Sequence, residues 1–220
     1  MKTVVDFLRT VPLFGDVPPA DLERLEALFV EKAFRRNQTI LAEADTHEFM
    51  YIVRAGKVKV TKVNTAGKEN IIAIHRAGEF FGEMSLLDGK TAPATVKALE
   101  ECKVILIRKD DFFKHLLKDE RILKQLITVL CGRLRESWEK IQILTHSDAE
   151  GRIRKTLDDL ASKHGVEDAR GTIINVKLTH MELAEIAGTS RETVTRLLDR
   201  YEDEGKIDII DHKVILLKTA

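Results

Sequence analysis

Apolar and polar positions change rhythm several times along this 220-residue chain. Residues 2–28 read as helical, with Phe7 and Leu8, then Leu22, Leu25 and Leu28 on one face. Pro18-Pro19 precede the second of these stretches and Asp21 falls in its first turn. From Glu31 to about Ile107 the pattern becomes short apolar stretches broken by glycine. Residues 50–53, Val58 and Val60, residues 71–74 and residues 104–107 predict strands, with Gly56, Gly67, Gly78 and Gly89 in the turns between them. Many short strands with regular turn signals predict a closed or sandwiched antiparallel domain.

Residues 112 to about 146 predict the longest helix. Leu123, Ile127, Leu130, Leu134, Ser137, Ile141 and Leu144 alternate steps of four and three, the a/d seam of a coiled coil with one polar position at Ser137. A helix lying on the strand domain is the other reading, but it calls for a wider apolar face. Residues 145–151, THSDAEG, break the helix and read as a hinge. Residues 152–163 predict a helix with Ile153, Leu157 and Leu160 inward, and Gly171 opens a strand through Ile173, Ile174 and Val176.

The stretch 178–207, LTHMELAEIAGTSRETVTRLLDRYEDEGKI, predicts two helices joined by a tight turn. Thr179 is the expected N-cap and Glu182 completes a capping box. Leu183, Ile186 and Ala187 form a buried face, Gly188 ends the helix, and Ser190 caps a second one from 191 to about 204. A short glycine turn between two short helices is a helix-turn-helix. On the second helix Arg191, Glu192, Thr195 and Arg196 span roughly 140°, while Val194, Leu197, Leu198 and Tyr201 lie mainly opposite. Arginine forks grip guanine O6 and N7, and a glutamate accepts from cytosine N4, so this face suits base reading in a duplex. A solvated charged face is the plainer alternative. Beyond it, residues 206–217 predict a hairpin wing with its turn at Asp211-His212-Lys213.

SRETVTR followed by LLDRYEDEGKI resembles the recognition helix of the CRP/FNR family, nearer its CRP-like branch. The resemblance covers essentially the whole chain: VPLFGDVPPADLERL looks like the entry segment, and AGKVKVTKV and AGEFFGEMSLLDG look like landmarks of the family's cyclic-nucleotide-binding jelly roll. It implies an α+β architecture: a sensing jelly roll over residues 1–110, a dimerisation helix over 111–146, and a winged helix-turn-helix DNA-binding domain over 147–220. It also implies that Arg191, Glu192 and Arg196 read a TGTGA-type half-site and that Thr179, His180, Ser190 and Thr193 contact phosphates. Histidine is unusual at 180. Two family glycines are replaced by Asn37 and Ala44; Asn tolerates a left-handed backbone, whereas Ala44 predicts a different turn.

The implied effector site is Gly82, Glu83, Met84, Ser85, Ala92, Pro93 and Ala94 from the roll, with Arg133, Ser137 and Trp138 from the long helix. Glu83 would hold a ribose hydroxyl; Gly82 and Glu83 also admit a purely structural reading. Cyclic-AMP-binding relatives carry an Arg-Ser pair where this chain has Ala92-Pro93, which supplies neither the charge nor the amide. Lys90 is a poor substitute for the arginine fork. Ser137 and Trp138 replace the hydroxyl pair used for adenine, and Arg133 would meet an anionic ligand or a solvent-facing acid. The expected effector is therefore not cAMP.

Composition narrows the alternatives. Lys plus Arg and Asp plus Glu number 36 each, and residues 149–220 hold 12 bases against 14 acids, which argues for site-specific binding with weak non-specific affinity. Cys102 and Cys131 are too few for a disulfide framework or zinc site, and residues 1–101 hold no cysteine for an iron–sulfur cluster. A haem-based gas sensor of the same family would draw its ligand from His47, His75, His115 or His146. A cupin-type metal enzyme would need converging histidines, and the roll has only His47 and His75. No apolar run approaches 18 residues and the first residues lack a signal peptide's apolar core, so no membrane partner and a cytoplasmic location are expected. The expected partners are double-stranded DNA, a second copy of the chain and RNA polymerase; an enzyme is not expected.

Overall fold

The structure, a computed structural model, describes residues 3–65, 67–210 and 213–217. It divides into two compact units, Met1–Arg135 and Glu136–Ala220.

The first unit opens with α1 (Val4–Leu8) and α2 (Pro19–Leu25), with one-turn 3₁₀ segments at Pro12–Phe14 and Glu26–Leu28. The helical reading of this stretch thus resolves into four short pieces. Eight strands follow: β1 (Phe29–Phe34), β2 (Thr39–Leu41), β3 (Phe49–Ala55), β4 (Lys57–Val63), β5 (Glu69–Arg76), β6 (Phe80–Phe81), and, after α3 (Glu83–Asp88), β7 (Thr95–Ala98) and β8 (Cys102–Arg108). They form two antiparallel four-stranded sheets, β1-β8-β3-β6 and β2-β7-β4-β5, the sandwiched antiparallel domain that the glycine-punctuated pattern predicts and the jelly roll that the resemblance implies.

β3 explains why some strands read as unbroken apolar runs. Met50 and Ile52 enter a core shared with Leu8, Phe14, Leu22 and Phe112, while Tyr51 and Val53 enter the roll's interior with Val58, Phe81 and Val96. Both faces are covered, so alternation disappears. β8 does the same through Ile105 and Ile107 on one side and Cys102 and Val104 on the other.

The expectation at Ala44 is overturned. Ala44 takes φ 67°, as Asn37 takes 66°, so the turn keeps a left-handed backbone without glycine. The cost, about 1–2 kcal/mol, is opposed by two local bonds: Ala44 N–H donates to the Ala92 carbonyl and Ala92 N–H to that of Asp45, both at 2.9 Å.

The long helical stretch is also not continuous. α4 (Lys109–Asp111) passes into a π-helical turn at Phe112–Leu116, closed by the Leu117 amide on the Phe112 carbonyl at 2.9 Å. That wider turn buries Phe112 and Leu116 completely. Asp119 then starts α5 (Glu120–His146), accepting from the Arg121 amide at 2.9 Å. The Arg121 side chain and amide hold the Asp119 carboxyl below its ordinary range.

The second unit takes the end of α5 and then α6 (Ala149–His164), β9 (Gly165–Glu167), β10 (Gly171–Ile174), α7 (His180–Ala187), α8 (Arg191–Asp203), β11 (Ile207–Ile210) and β12 (Lys213–Leu217). The break between α5 and α6 is narrower than the 145–151 segment expected to be the hinge. Only Ser147 and Asp148 leave the helix, because Asp148 accepts from the Gly151 amide at 2.7 Å and caps α6 at once. The strands order β11-β12-β10-β9, all antiparallel, and β11 with β12 forms the wing. Gly171 is required where β10 meets β12: a Cβ there would lie 1.9 Å from the Leu216 carbonyl oxygen. Of the expected wing turn, Asp211 and His212 lie outside the described residues and Lys213 opens β12. Among the described residues no helix is long and apolar enough to cross a membrane.

Candidate nucleic-acid interface

The two helices of the motif are built locally. The Thr179 hydroxyl accepts from the Glu182 amide at 3.1 Å, and the Glu182 carboxylate accepts from the Thr179 amide at 2.9 Å, the reciprocal box expected from the sequence. Gly188 ends α7 with φ 62°, donating to the Ala184 carbonyl, and Ser190 restarts the chain by accepting from the Thr193 amide at 3.2 Å. The Ser190 and Thr193 hydroxyls lie 3.0 Å apart. Val194, Leu197, Leu198 and Tyr201 are buried, whereas Arg191, Glu192 and Arg196 are exposed on the neighbouring arc of α8, with Arg191 at its edge beside Leu198.

Three features of this unit escape sequence reasoning. His180 is more than a surface position: its Nδ1 lies 2.8 Å from the Thr195 hydroxyl and ties α7 to α8. Arg152 of α6 donates to the Ala187 carbonyl at 3.1 Å and to that of Gly188 at 3.3 Å, satisfying the end of α7 just before the turn. Glu150 accepts from the Tyr201 hydroxyl at 3.1 Å and pairs with Arg200, so the C-terminal half of α8 is fixed to α6. These contacts join residues 15 to 51 positions apart, which local pattern does not reveal. Glu202, Asp203 and Glu204 are exposed at the far end of α8, away from Arg191.

In the first unit, the residues expected to hold an effector divide. Gly82 (φ 83°) turns β6 into α3, and Glu83 follows it with only 2% of its surface exposed. Arg133 Nη1 donates to Glu83 Oε1 at 2.8 Å, Nη2 reaches the Phe80 carbonyl, and the guanidinium lies 4.6 Å over the Phe80 ring. The solvent-facing acid expected for Arg133 is thereby corrected: the acid it meets, Glu83, is buried in its own unit. Ser85 is buried, and its hydroxyl makes no hydrogen bond among the described residues. Met84 and Pro93 are exposed, while Ala92 and Ala94 are buried. Ala92 packs in the roll's interior cluster. Ser137 and Trp138 belong to the second unit, both exposed.

The seam residues Leu123, Ile127, Leu134, Ile141 and Leu144 are exposed in the single chain, and Leu130 is partly buried against the first unit's core. Ile122 and Leu126, on another face of α5, are fully buried there. The four histidines are dispersed. His47 Nδ1 lies 2.8 Å from the Phe49 carbonyl, and its Nε2 is buried with no hydrogen-bond partner among the described residues. His75 pairs with Glu79 at 2.9 Å; His115 and His146 are exposed. Among the described residues no three His, Cys, Asp or Glu side chains converge as a metal set. Cys102 is buried, its thiol pushed up to about 11 by burial and by Glu100, and Cys131 is exposed.

Comparison with known proteins gives this geometry a family. Residues 31–119 match the cyclic nucleotide-binding domain and residues 151–220 the Crp-like helix-turn-helix domain. The chain is 32% identical to the global nitrogen regulator of Nostoc sp. over 86% of each chain. It is 28% identical to the CRP-like cAMP-activated global transcriptional regulator of Mycobacterium tuberculosis, covering 96% of this chain and 94% of that one. The solved structure of the c-di-GMP responsive global regulator CLP of Xanthomonas campestris superposes with a TM-score of 0.78 at 25% identity, covering 92% of this chain and all of that one. The chain belongs to the CRP/FNR family of transcription regulators, with its β-rich cyclic-nucleotide-binding domain, long helix and C-terminal helix-turn-helix.

Proposed function

We propose that the chain works as a homodimer that reads a palindromic, TGTGA-like duplex site under control of a small effector other than cAMP. The observation that carries the DNA half is the exposed trio Arg191, Glu192 and Arg196 on the arc of α8 outside its buried side, preceded by the capped Ser190 turn. The two forks suit guanines and the carboxylate a cytosine amine, while Thr179, His180, Ser190 and Thr193 sit at the first turns, where hydroxyls and amides meet phosphate. Dimerisation through the exposed 4-3 seam of α5 would set the two α8 helices one DNA turn apart, and RNA polymerase would be the further partner of the bound dimer.

The effector half rests on Ala92. A buried alanine in the roll's interior stands where cAMP-binding relatives place a cation, and the Arg133 guanidinium beside α3 is engaged by Glu83. Relatives are named for responses to cAMP and to c-di-GMP, so family membership leaves the ligand open. Selection of binding sites from random duplexes tests the reading: an inverted repeat of TGTGA-like halves supports it, and no enriched repeat overturns it.

A haem-based reading has one observation in its favour. With Nδ1–H donated to Phe49, His47 keeps a buried lone pair on Nε2 facing no partner among the described residues. Haem there would supply a gas-binding iron, and His47 would be the residue that holds it. A Soret band in the purified protein that is lost in His47→Ala would replace the first reading of the effector.

A further inference from the structure

The DNA-binding unit contains a cavity of about 530 Å³, within the roughly 300–1,000 Å³ range of small-molecule sites. Its walls come from four elements: Leu160 of α6, Ile174 of β10, Leu183 of α7 and Leu198 of α8, all buried. The half-buried Ile209 and Val214 of the wing complete the apolar lining. Thr179, His180 and Arg191 contribute its polar groups, and the exposed Met181 also borders it. Among the described residues no carboxylate lines it. Among the described residues the Arg191 guanidinium enters no ion pair or side-chain hydrogen bond, although α8 is rich in acids.

An apolar chamber bordered by one cation and no acid selects its ligand by chemistry. The walls want an alkyl or aryl body; the single fork wants a carboxylate, which guanidinium grips in two parallel hydrogen bonds. We propose that this unit holds a ligand site of its own, for an amphipathic monocarboxylate of medium length, and that filling it opposes DNA binding. The second half rests on the reading that Arg191 contacts bases. A carboxylate on Arg191 would engage the fork that guanine needs and set a negative charge against the duplex. Linkage makes the antagonism mutual: DNA must weaken the ligand by the same factor. Control of this kind would act at the reading surface itself, separately from the jelly roll.

The test uses the full chain with methyl-labelled Ile, Leu, Val and Met, and sodium decanoate below its micelle threshold as probe. The expected result is saturable shifts of the Met181, Ile174 and Ile209 methyls, with decanol and Arg191→Gln each weakening binding at least about tenfold. Val214→Trp, which fills the chamber from the wing, should abolish the shifts; Arg191→Gln, at an exposed position, keeps the test valid if that variant fails to fold. No saturable shift, shifts confined to methyls of the first unit, or equal binding by decanol and by Arg191→Gln would overturn the site. Anisotropy with a TGTGA-palindrome duplex separates the two ideas. A duplex that binds alone and is displaced as the methyl site fills supports the antagonism, and one that stays bound at saturation overturns it. A duplex that never binds rejects the base-reading role of Arg191, while the methyl shifts still decide the cavity.

Discussion

Arg133 and Glu83 meet at 2.8 Å, although fifty residues of chain separate them and Glu83 is almost wholly buried. A carboxylate taken out of water needs a cation, and here the long helix provides it to the turn after β6. Removing one partner strands the other. Arg133→Ala should destabilise the protein by on the order of 3 kcal/mol, the lower end for buried pairs, because the guanidinium keeps 28% exposure. Adding Glu83→Gln should recover much of that loss, since a neutral amide tolerates burial better than an unpaired charge. Urea melts of the four proteins check this; strictly additive losses would mean that the pair is not coupled.

The α5 seam should hold two chains together. Leu134 and Ile141 are both more than half exposed in the single chain, so they contribute little packing within it. Leu134→Glu with Ile141→Glu would place four acids in a two-chain seam and should yield folded monomers. Sedimentation gives the mass and circular dichroism the fold. Leu130 is the poorer choice for this experiment because it also packs against the first unit's core. A dimer of unchanged mass would move the interface elsewhere.

cAMP should bind weakly. Alanine at 92 offers the cyclic phosphate no charge-assisted hydrogen bond, an interaction worth about 1.5–3 kcal/mol, or roughly one to two orders of magnitude in affinity. Titration calorimetry is expected to show no micromolar cAMP binding, and Ala92→Arg with Pro93→Ser should strengthen whatever binding remains. Tight cAMP binding by the wild type, accompanied by a gain in DNA affinity, would contradict the effector reading.

The parts legible in the sequence are those whose physics is local. The Thr179–Glu182 box, the Gly188 stop and the Ser190 cap each lie within a few residues, and all three are visible as residue patterns. β3 and β8 are visible too, because burial on both faces leaves a continuous apolar run. β1 is not: between Phe29 and Phe34 its four central residues are exposed, so alternation gives no signal. The π-helical turn after α4 keeps apolar residues at near-helical spacing, and the break it introduces before Asp119 is therefore masked. Arg133 is legible as a cation near the expected effector, but its partner emerges only once the roll and the helix are folded together. The His180–Thr195 tie is hidden for the same reason.

Acid should weaken the roll through Glu69. Burial pushes its carboxyl up, but the Thr61 hydroxyl and the Lys97 ammonium, 3.1 Å away, outweigh this and hold it below its ordinary value. A depressed folded value means that the folded state favours the ionised form. The contribution is complete above the unfolded value of about 4.3 and disappears as pH falls through the folded one. Glu69→Gln should therefore lower Tm at pH 7, and the gap from wild type should narrow as pH falls below the unfolded value of about 4.3. A gap that stays constant as the pH is lowered would assign the effect to packing.

Base contacts and phosphate contacts on the recognition unit should fail differently. Arg196→Ala removes a fork from the exposed face of α8, and it should cost about 1–3 kcal/mol per half-site and relax preference at one symmetric position. A palindrome presents that position twice, so the dimer should lose roughly double. Thr179 needs a gentler change than alanine, because its hydroxyl also caps α7, and losing a cap alone costs ~1 kcal/mol. Thr179→Val removes the hydroxyl and Thr179→Ser retains it. If the hydroxyl positions the domain on phosphate, the serine variant should bind like wild type, and the valine variant should lose affinity evenly across all sequences. Glu192→Ala should loosen discrimination at a cytosine with a smaller loss of affinity, because removing an acid also relieves repulsion from the DNA backbone. Site selection with these variants, run beside thermal melts that correct for the missing cap, separates the roles. An unchanged consensus with evenly reduced affinity in Arg196→Ala would make that residue a phosphate clamp and shift the base-reading register of α8.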